Sequence, residues 1–170
     1  DTARTEYRRG SVLDADTTRS IVDEVIERHG SVTGIFLAAG TGSFGSFIEG
    51  SDTDRLRTIR TKVQGALNVA DALQGRPVEF VSLVSSTSGI FPAFSKGLVA
   101  YAAANAFLDA FALKQTNKEI RWFSTSWTLW RNTGMANGAD ASKFYHLLHG
   151  VSASMALKCL DVVLTQDEPH

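Results

Sequence analysis

The chain has 170 residues, and its 17 lysines and arginines nearly balance its 18 aspartates and glutamates, for a formal net charge of −1. Hydrophobic residues make up 44% and charged residues 21%, as in an ordinary soluble domain. These values exclude a strongly basic nucleic-acid-binding protein, a disordered tail and a collagen-like repeat. No apolar run approaches the roughly 20 residues of a membrane helix, and the single cysteine cannot form an internal disulfide. We therefore expect one domain over residues 1–170, located in the cytoplasm, with neither nucleic acid nor membrane as a partner.

Strand and helix patterns alternate along the chain. Helical periodicity follows Asp16 and ends at Gly30, and the apolar run 32–40 predicts a strand buried on both faces. The later predicted elements are a helix at about 52–73, a strand at 78–84, a helix at 101–115, a strand at 120–126 and an amphipathic helix at 152–164, whose inner face would include Cys159. Alternation without a hairpin signal predicts a doubly wound α/β fold with a parallel sheet and right-handed crossovers.

Several polar side chains are expected at the carboxyl edge of this sheet, where such folds bind ligands. Ser85 and Ser86 follow one strand, and Tyr101 and Asn105 lie four residues apart on one helix face. Lys62 belongs to the preceding long helix. An isolated tyrosine ionises only near pH 10, and a nearby ammonium favours the phenolate. Ser86 could therefore hold a substrate carbonyl while Tyr101 gives or takes its proton, which is general acid–base chemistry beside a hydride donor.

Five motifs give the chain a recognisable resemblance. They are Phe80–Ser86 with Gly89, Tyr101–Asp109, Thr61–Asn68, Val32–Gly40, and Ser126–Trp130 followed by Thr133–Ala136. In this order and spacing, the chain resembles the ketoreductase domains of modular polyketide and nonribosomal peptide megasynthases, members of the short-chain dehydrogenase/reductase superfamily. The resemblance implies a Rossmann-like fold.

The resemblance also implies a role for each candidate catalytic residue. Tyr101 would donate the proton to the forming alkoxide, and Ser86, rather than Ser85, would hydrogen-bond the ketone oxygen. Lys62 and Asn105 would complete a catalytic tetrad. Most short-chain dehydrogenases place the lysine four residues after the tyrosine, whereas megasynthase ketoreductases exchange the lysine and asparagine positions, as this sequence does. A metal site is not implied.

NADPH is the cofactor that the resemblance implies. The cofactor contacts it implies are Asp14 at the adenine, Ala38, Ala39 and Gly40 beside the ribose, Lys62 and Tyr101, and Thr128 and Leu129 at the nicotinamide amide. Segment 132–138 is a candidate lid over the substrate, with an ordinary surface loop as the alternative.

The sequence departs from the family pattern in several places. No Gly-x-Gly-x-x-Gly turn precedes the first predicted strand, although such a turn normally holds the pyrophosphate. We therefore expect these residues to be the carboxyl-side part of a ketoreductase domain, lacking the N-terminal strands and glycine-rich loop, and to bind a dinucleotide weakly without the missing N-terminal part. Leu37 stands where histidine is usual. Segment 41–44 replaces an element used to assign product stereochemistry, which leaves the stereochemical outcome open.

The expected reaction is reduction of a ketoacyl thioester to the hydroxyacyl thioester. The substrate would be carried on the phosphopantetheine arm of an acyl or peptidyl carrier protein, with the keto group at the α or the β position. Two alternatives remain: a free-standing short-chain dehydrogenase acting on a small alcohol, and an inactive Rossmann-like subdomain that braces neighbouring domains.

Overall fold

A computed structural model describes residues 5–41, 51–91, 97–115, 119–133 and 150–165. Its elements, in chain order, are α1 Ala15–His29, β1 Val32–Leu37, α2 Asp52–Ala72, β2 Val78–Ser86, a 3₁₀ turn Thr87–Gly89, α3 Val99–Lys114, β3 Arg121–Trp127 and α4 Ala153–Thr165. Every helix and strand predicted from the sequence is present, with its ends shifted by a few residues. The candidate lid at 132–138 and segment 41–44 lie mostly outside the described residues.

The three strands form one parallel sheet in the order β1-β2-β3. Leu37 of β1 pairs with Leu83 of β2, and Ser86 of β2 pairs with Trp127 of β3. Because all three strands run in the same direction, their carboxyl ends meet at one edge. This register places Ser86 at that edge, beside the end of β3.

The core lies between one face of this sheet and the helices. Helix α3 packs on β2, β3 and α2, and α2 also contacts α1. Val81 and Leu83 of β2 are completely buried with Leu108 of α3 and Leu73 at the end of α2. These side chains come from the alternate positions of a strand and from three- and four-residue steps of helices. Their packing fixes α2 and α3 relative to the carboxyl edge.

The other face of β1 is more open than the sequence pattern suggested. Phe36 is 47% exposed, so the expectation of a strand buried on both faces was wrong for β1. Leu37 faces the core, whereas Phe36 lies on the opposite face and meets the Phe80 ring edge-on at 5.6 Å between centroids. The exposure of Phe36 was not predicted because an apolar run in the sequence does not show what covers the second face of a strand. In the described sheet, β1 is also the edge strand.

Helix α4 does not bury Cys159, contrary to the prediction from its periodicity. Cys159 is exposed, whereas Ala156 is the buried residue of this helix. Met155, another apolar residue of α4, is also 52% exposed, so apolar residues lie on more than one side of this helix. Such a pattern does not show which side of the helix faces the core.

Among the described residues, no helix has the length and apolar character needed to cross a membrane.

Candidate active site

Lys62 extends from α2 into the interior beneath the carboxyl edge. Its side chain is buried, with 3% of the residue exposed, and its Nζ donates a hydrogen bond to the Val84 carbonyl oxygen at 2.9 Å. The same Nζ lies 5.7 Å from the centroid of the Tyr101 ring, within the range of a cation–π contact. Two helices thus bring together the ammonium and the phenol that the sequence analysis paired.

The surroundings of Lys62 change its acidity. Burial lowers the pKa of the Lys62 ammonium to about 8, and the carboxylate of Asp109 acts in the opposite direction. Burial has this effect because the charged form loses more hydration than the neutral amine. Near neutral pH the side chain therefore remains mostly cationic, although it releases its proton far more readily than a surface lysine.

Tyr101 and Asn105 occupy successive turns of α3. Tyr101 is half-buried, and Asn105 is completely buried. The Asn105 Nδ2 donates to the backbone carbonyl of Tyr101 at 2.9 Å, which reinforces the helix turn that carries the phenol. The Asn105 Oδ1 is also buried, and no residue in the described part of the chain donates to it. A buried acceptor without a partner is costly, so this oxygen marks a place where a polar ligand or water would be favoured.

The two serines of β2 have different surroundings. Ser86 is half-buried, and its Oγ accepts from the Ser88 backbone N–H at 3.2 Å and from the Ser88 hydroxyl at 3.1 Å. Both contacts use Ser86 as acceptor, so its own hydroxyl hydrogen can be donated to a substrate oxygen. Ser85 is buried and donates to the backbone carbonyl of Asn105 at 3.2 Å. Ser85 therefore ties β2 to α3, and Ser86 is the serine suited to substrate.

The 3₁₀ turn after Ser86 packs directly against the backbone of α3. A Cβ atom at Gly89 would lie 2.9 Å from the Ala106 nitrogen and 3.3 Å from the Asn105 carbonyl carbon. Neither backbone atom can move aside without moving α3, so only glycine permits this close approach. The glycine of the sequence motif thus sets the distance between the Ser86 end of β2 and the helix that carries Tyr101.

Substitution of Gly89 by alanine is expected to lower the free energy of unfolding by about 1–3 kcal/mol, the usual cost of overpacking. Urea denaturation of the full-length protein measures this change. Gly65→Ala is the matched control, because its new methyl would meet only the Val12 side chain, at 3.1 Å, and alanine favours the helix. If Gly89→Ala were as stable as the wild type, the close approach of the 3₁₀ turn to α3 would contribute nothing to stability.

Asp14, the predicted adenine contact, caps the N-terminus of α1. Its carboxylate accepts from the backbone N–H groups of Asp16 and Thr17, both at 3.1 Å, and from the Thr17 hydroxyl at 2.9 Å. These hydrogen bonds, chiefly those from Thr17, lower the pKa of Asp14. Asp14 is exposed. Its contact with adenine stays a prediction, beside the capping role that the geometry gives it.

The other predicted cofactor contacts follow β1 and β3. Ala38, Ala39 and Gly40 come directly after β1, and the adjacent Thr41 has a buried Oγ1 that no described residue hydrogen-bonds. Thr128 and Leu129 come directly after β3 and are half-buried. The Leu129 carbonyl accepts from the Val151 N–H at 2.9 Å, so it joins the segment before α4 to this loop. Small side chains and an unpaired hydroxyl at the sheet edge fit a ribose and a nicotinamide.

Asp109 is the site residue that the sequence analysis did not assign. Asp109 ends the Tyr101–Asp109 motif, and the negative charge of its carboxylate opposes the lowering of the Lys62 pKa by burial. The Ser126 hydroxyl lies 3.4 and 3.5 Å from its two oxygens. A signal was available, because Tyr101, Asn105 and Asp109 recur every four residues and therefore share one helix face.

A surface cavity of about 350 Å³ lies away from this site, between α1 and the segment before it. It is lined by charges that pair with one another: Arg8 contacts Glu24 at 2.6 Å, and Arg28 contacts Glu24 at 2.6 Å and Glu6 at 2.5 Å. Mutually neutralised surface charges are an ordinary solvated feature. The sheet edge is therefore the candidate active site.

Comparison with known proteins identifies the family. A family model described as KR domain matches residues 2–132. The polyketide synthase GfsE of Streptomyces halstedii is 32% identical over 169 residues, which cover 95% of this chain and 4% of that protein. The chain therefore belongs to the KR-domain family, the ketoreductase domains of modular synthases within the short-chain dehydrogenase/reductase superfamily, as its motifs predicted.

Solved structures agree with this assignment. A crystal structure of a ketoreductase domain from the bacillaene assembly line matches with a TM-score of 0.83 and 29% identity, covering 96% of this chain and 41% of that one. A short-chain dehydrogenase from Burkholderia cenocepacia, solved in complex with NADP, shares the fold at 18% identity with a TM-score of 0.77, over 94% of this chain and 69% of that one. The predicted doubly wound, Rossmann-like fold is confirmed, and the chain spans less than half of the ketoreductase structure.

Proposed function

We propose that this chain forms the catalytic, carboxyl-side part of an NADPH-dependent ketoreductase that reduces a ketoacyl thioester to the hydroxyacyl thioester. Membership of the KR-domain family supports ketoreductase chemistry. The observation that carries the proposal is the Lys62 ammonium, 5.7 Å from the Tyr101 ring centroid, below the strand end that presents the Ser86 hydroxyl. This is the set of groups that ketone reduction requires: an acid, a charge that favours its conjugate base, and a hydrogen-bond donor.

Each residue then has a defined task. The Ser86 hydroxyl donates a hydrogen bond to the ketone oxygen and orients the carbonyl, and the Tyr101 phenol donates its proton to that oxygen. The Lys62 ammonium stabilises the phenolate that Tyr101 leaves behind. A bound NADPH supplies the hydride that the carbonyl carbon accepts. One hydride and one proton convert the ketone to a secondary alcohol, so the reaction balances.

Residues at the same sheet edge would hold the cofactor. Ala38, Ala39 and Gly40 would lie beside the ribose, and the backbone of Thr128 and Leu129 would meet the nicotinamide amide. The buried Thr41 Oγ1 and Asn105 Oδ1, which lack partners among the described residues, support a polar occupant here. Asp14 would face the adenine from the start of α1.

The remaining binding functions would come from outside these residues. The chain covers 41% of the ketoreductase domain structure from the bacillaene assembly line, and pyrophosphate binding would belong to the part of such a domain that the chain does not cover. The substrate would arrive on the phosphopantetheine arm of an acyl or peptidyl carrier protein in a cytoplasmic megasynthase.

Turnover by the full-length protein tests the proposal. The protein is incubated with α- or β-ketoacyl thioesters of N-acetylcysteamine, each with NADPH or NADH, and products are identified by mass spectrometry. We expect a hydroxyacyl thioester with NADPH, and the preferred thioester identifies the keto position. Absence of product from every combination, in a protein whose fold is intact by circular dichroism, would favour the bracing subdomain instead.

A further inference from the structure

The hydroxyl oxygen of Ser86 accepts two hydrogen bonds from one residue, Ser88. The first comes from the Ser88 backbone N–H at 3.2 Å, and the second from the Ser88 hydroxyl at 3.1 Å. Ser86 is the N-cap of the 3₁₀ turn, so the backbone bond is an ordinary cap. The hydroxyl bond is additional, because the cap does not require it.

Ser88 is held in place within this turn. Only 6% of the residue is exposed. On one side of it, the Thr87 hydroxyl donates to the Trp127 carbonyl of β3 at 3.4 Å, and on the other side Gly89 lies against the backbone of α3. A buried hydroxyl needs a hydrogen-bond partner. In the part of the chain that the structure describes, the partner of the Ser88 hydroxyl is the Ser86 Oγ.

We propose that Ser88 is a positioning residue of this site: its hydroxyl donates to the Ser86 Oγ and so directs the Ser86 hydroxyl hydrogen away from the turn, toward the ketone oxygen of the substrate. The catalytic consequence rests on the proposed function, whereas the orientation of the two hydroxyls does not. Ser88 acts through Ser86 and contacts neither substrate nor cofactor in this assignment.

The physical argument starts from the hydrogen-bonding capacity of a serine hydroxyl, which has one hydrogen to donate and two lone pairs that accept. The N–H and the hydroxyl of Ser88 occupy both lone pairs of Ser86. The Ser86 hydrogen is therefore left for a ligand. Accepting a hydrogen bond also polarises the O–H bond of Ser86 and makes it a stronger donor. Both effects matter most when the ketone oxygen gains negative charge, so they should act on kcat more than on KM.

Alanine at position 88 removes the hydroxyl but keeps the backbone N–H that caps the turn. We expect kcat of Ser88→Ala to fall about 2–10-fold, the usual contribution of one hydrogen bond, with little change in KM. In the Ser86→Ala background the same change should have no further effect, because the group on which Ser88 acts is gone.

Ser154→Ala is the matched control. At the start of α4, the Ser152 Oγ accepts from the Met155 N–H at 3.2 Å and lies 3.0 Å from the hydroxyl oxygen of Ser154. This is the same pairing of two serines, on an exposed helix end outside the proposed site. The control should therefore have wild-type kcat and KM.

Steady-state kinetics of the full-length proteins measure these changes, and neutron diffraction from a wild-type crystal exchanged into deuterated water locates the hydroxyl deuterium atoms. We expect the Ser88 deuterium between the two serine oxygens and the Ser86 deuterium directed away from Ser88. A Ser86 deuterium between the two oxygens, an unchanged kcat in Ser88→Ala, or an equal fall in kcat in the Ser86→Ala background would overturn the proposal. If no reduction is observed in the wild type, the proposed function fails while the neutron map still decides the orientation of the two hydroxyls.

Discussion

Phenylalanine at position 101 is expected to lower kcat for ketoacyl thioester reduction by about 10²–10⁴-fold, the usual contribution of a positioned general acid. The change removes the phenolic proton and leaves the ring beside Lys62. The Asn105 bond is made to the backbone carbonyl of Tyr101, so the helix turn remains supported. We therefore expect the fold and dinucleotide binding to be retained while reduction is lost.

The measurement compares NADPH oxidation by the full-length wild type and Tyr101→Phe at saturating thioester. Tyr7→Phe is the matched control, because Tyr7 is 82% exposed and belongs to no part of the proposed site. It should have wild-type activity. If Tyr101→Phe also turned over at the wild-type rate, the phenol could not be the proton donor.

Methionine at position 62 is expected to abolish reduction and to stabilise the protein at neutral pH. Methionine approximates the length of the lysine side chain without its charge. Because the folded-state pKa of Lys62 is about 8 and the ordinary value is 10.5, burial of the ammonium costs up to about 3 kcal/mol when both states are protonated. Methionine removes this burial cost, but it also removes the hydrogen bond to the Val84 carbonyl, which is worth about 1 kcal/mol. We therefore expect the free energy of unfolding to increase by about 1–2 kcal/mol in Lys62→Met.

The stability of the wild type relative to Lys62→Met should change with pH in one direction only. Below pH 8 the lysine is charged in both the folded and the unfolded states, so the full burial penalty is present. Between pH 8 and 10.5 the folded protein binds fewer protons at Lys62 than the unfolded chain, so the wild type gains stability with rising pH. The advantage of Lys62→Met should therefore shrink across this interval.

Urea denaturation at pH 7 and pH 10 measures both effects. Lys114→Met, which changes an exposed lysine of α3, is the control and should show neither the gain nor its pH dependence. A Lys62→Met variant that is less stable than the wild type at pH 7, or that retains reductase activity, would contradict the electrostatic account of this lysine.

The sequence predicted those features that depend on local pattern. Apolar spacing was sufficient for the helices and the parallel sheet, and four-residue spacing placed Tyr101 and Asn105 on one face. Burial of Phe36 and Cys159 was misjudged, because burial depends on which elements cover a strand edge or a helix face. The contact of Ser85 with the Asn105 carbonyl and the action of Asp109 on Lys62 join different elements, so no local pattern revealed them.

The central claim is that this sheet edge delivers one hydride and one proton to a ketone, and isotope transfer tests it most directly. The full-length protein is supplied with a ketoacyl thioester and NADPH deuterated on both C4 positions of the nicotinamide, and the product is analysed by mass spectrometry. The account predicts one deuterium on the carbinol carbon of the wild-type product and no such product above background from Tyr101→Phe. A wild-type alcohol without deuterium at that carbon, or equal labelling rates in the two proteins, would contradict it.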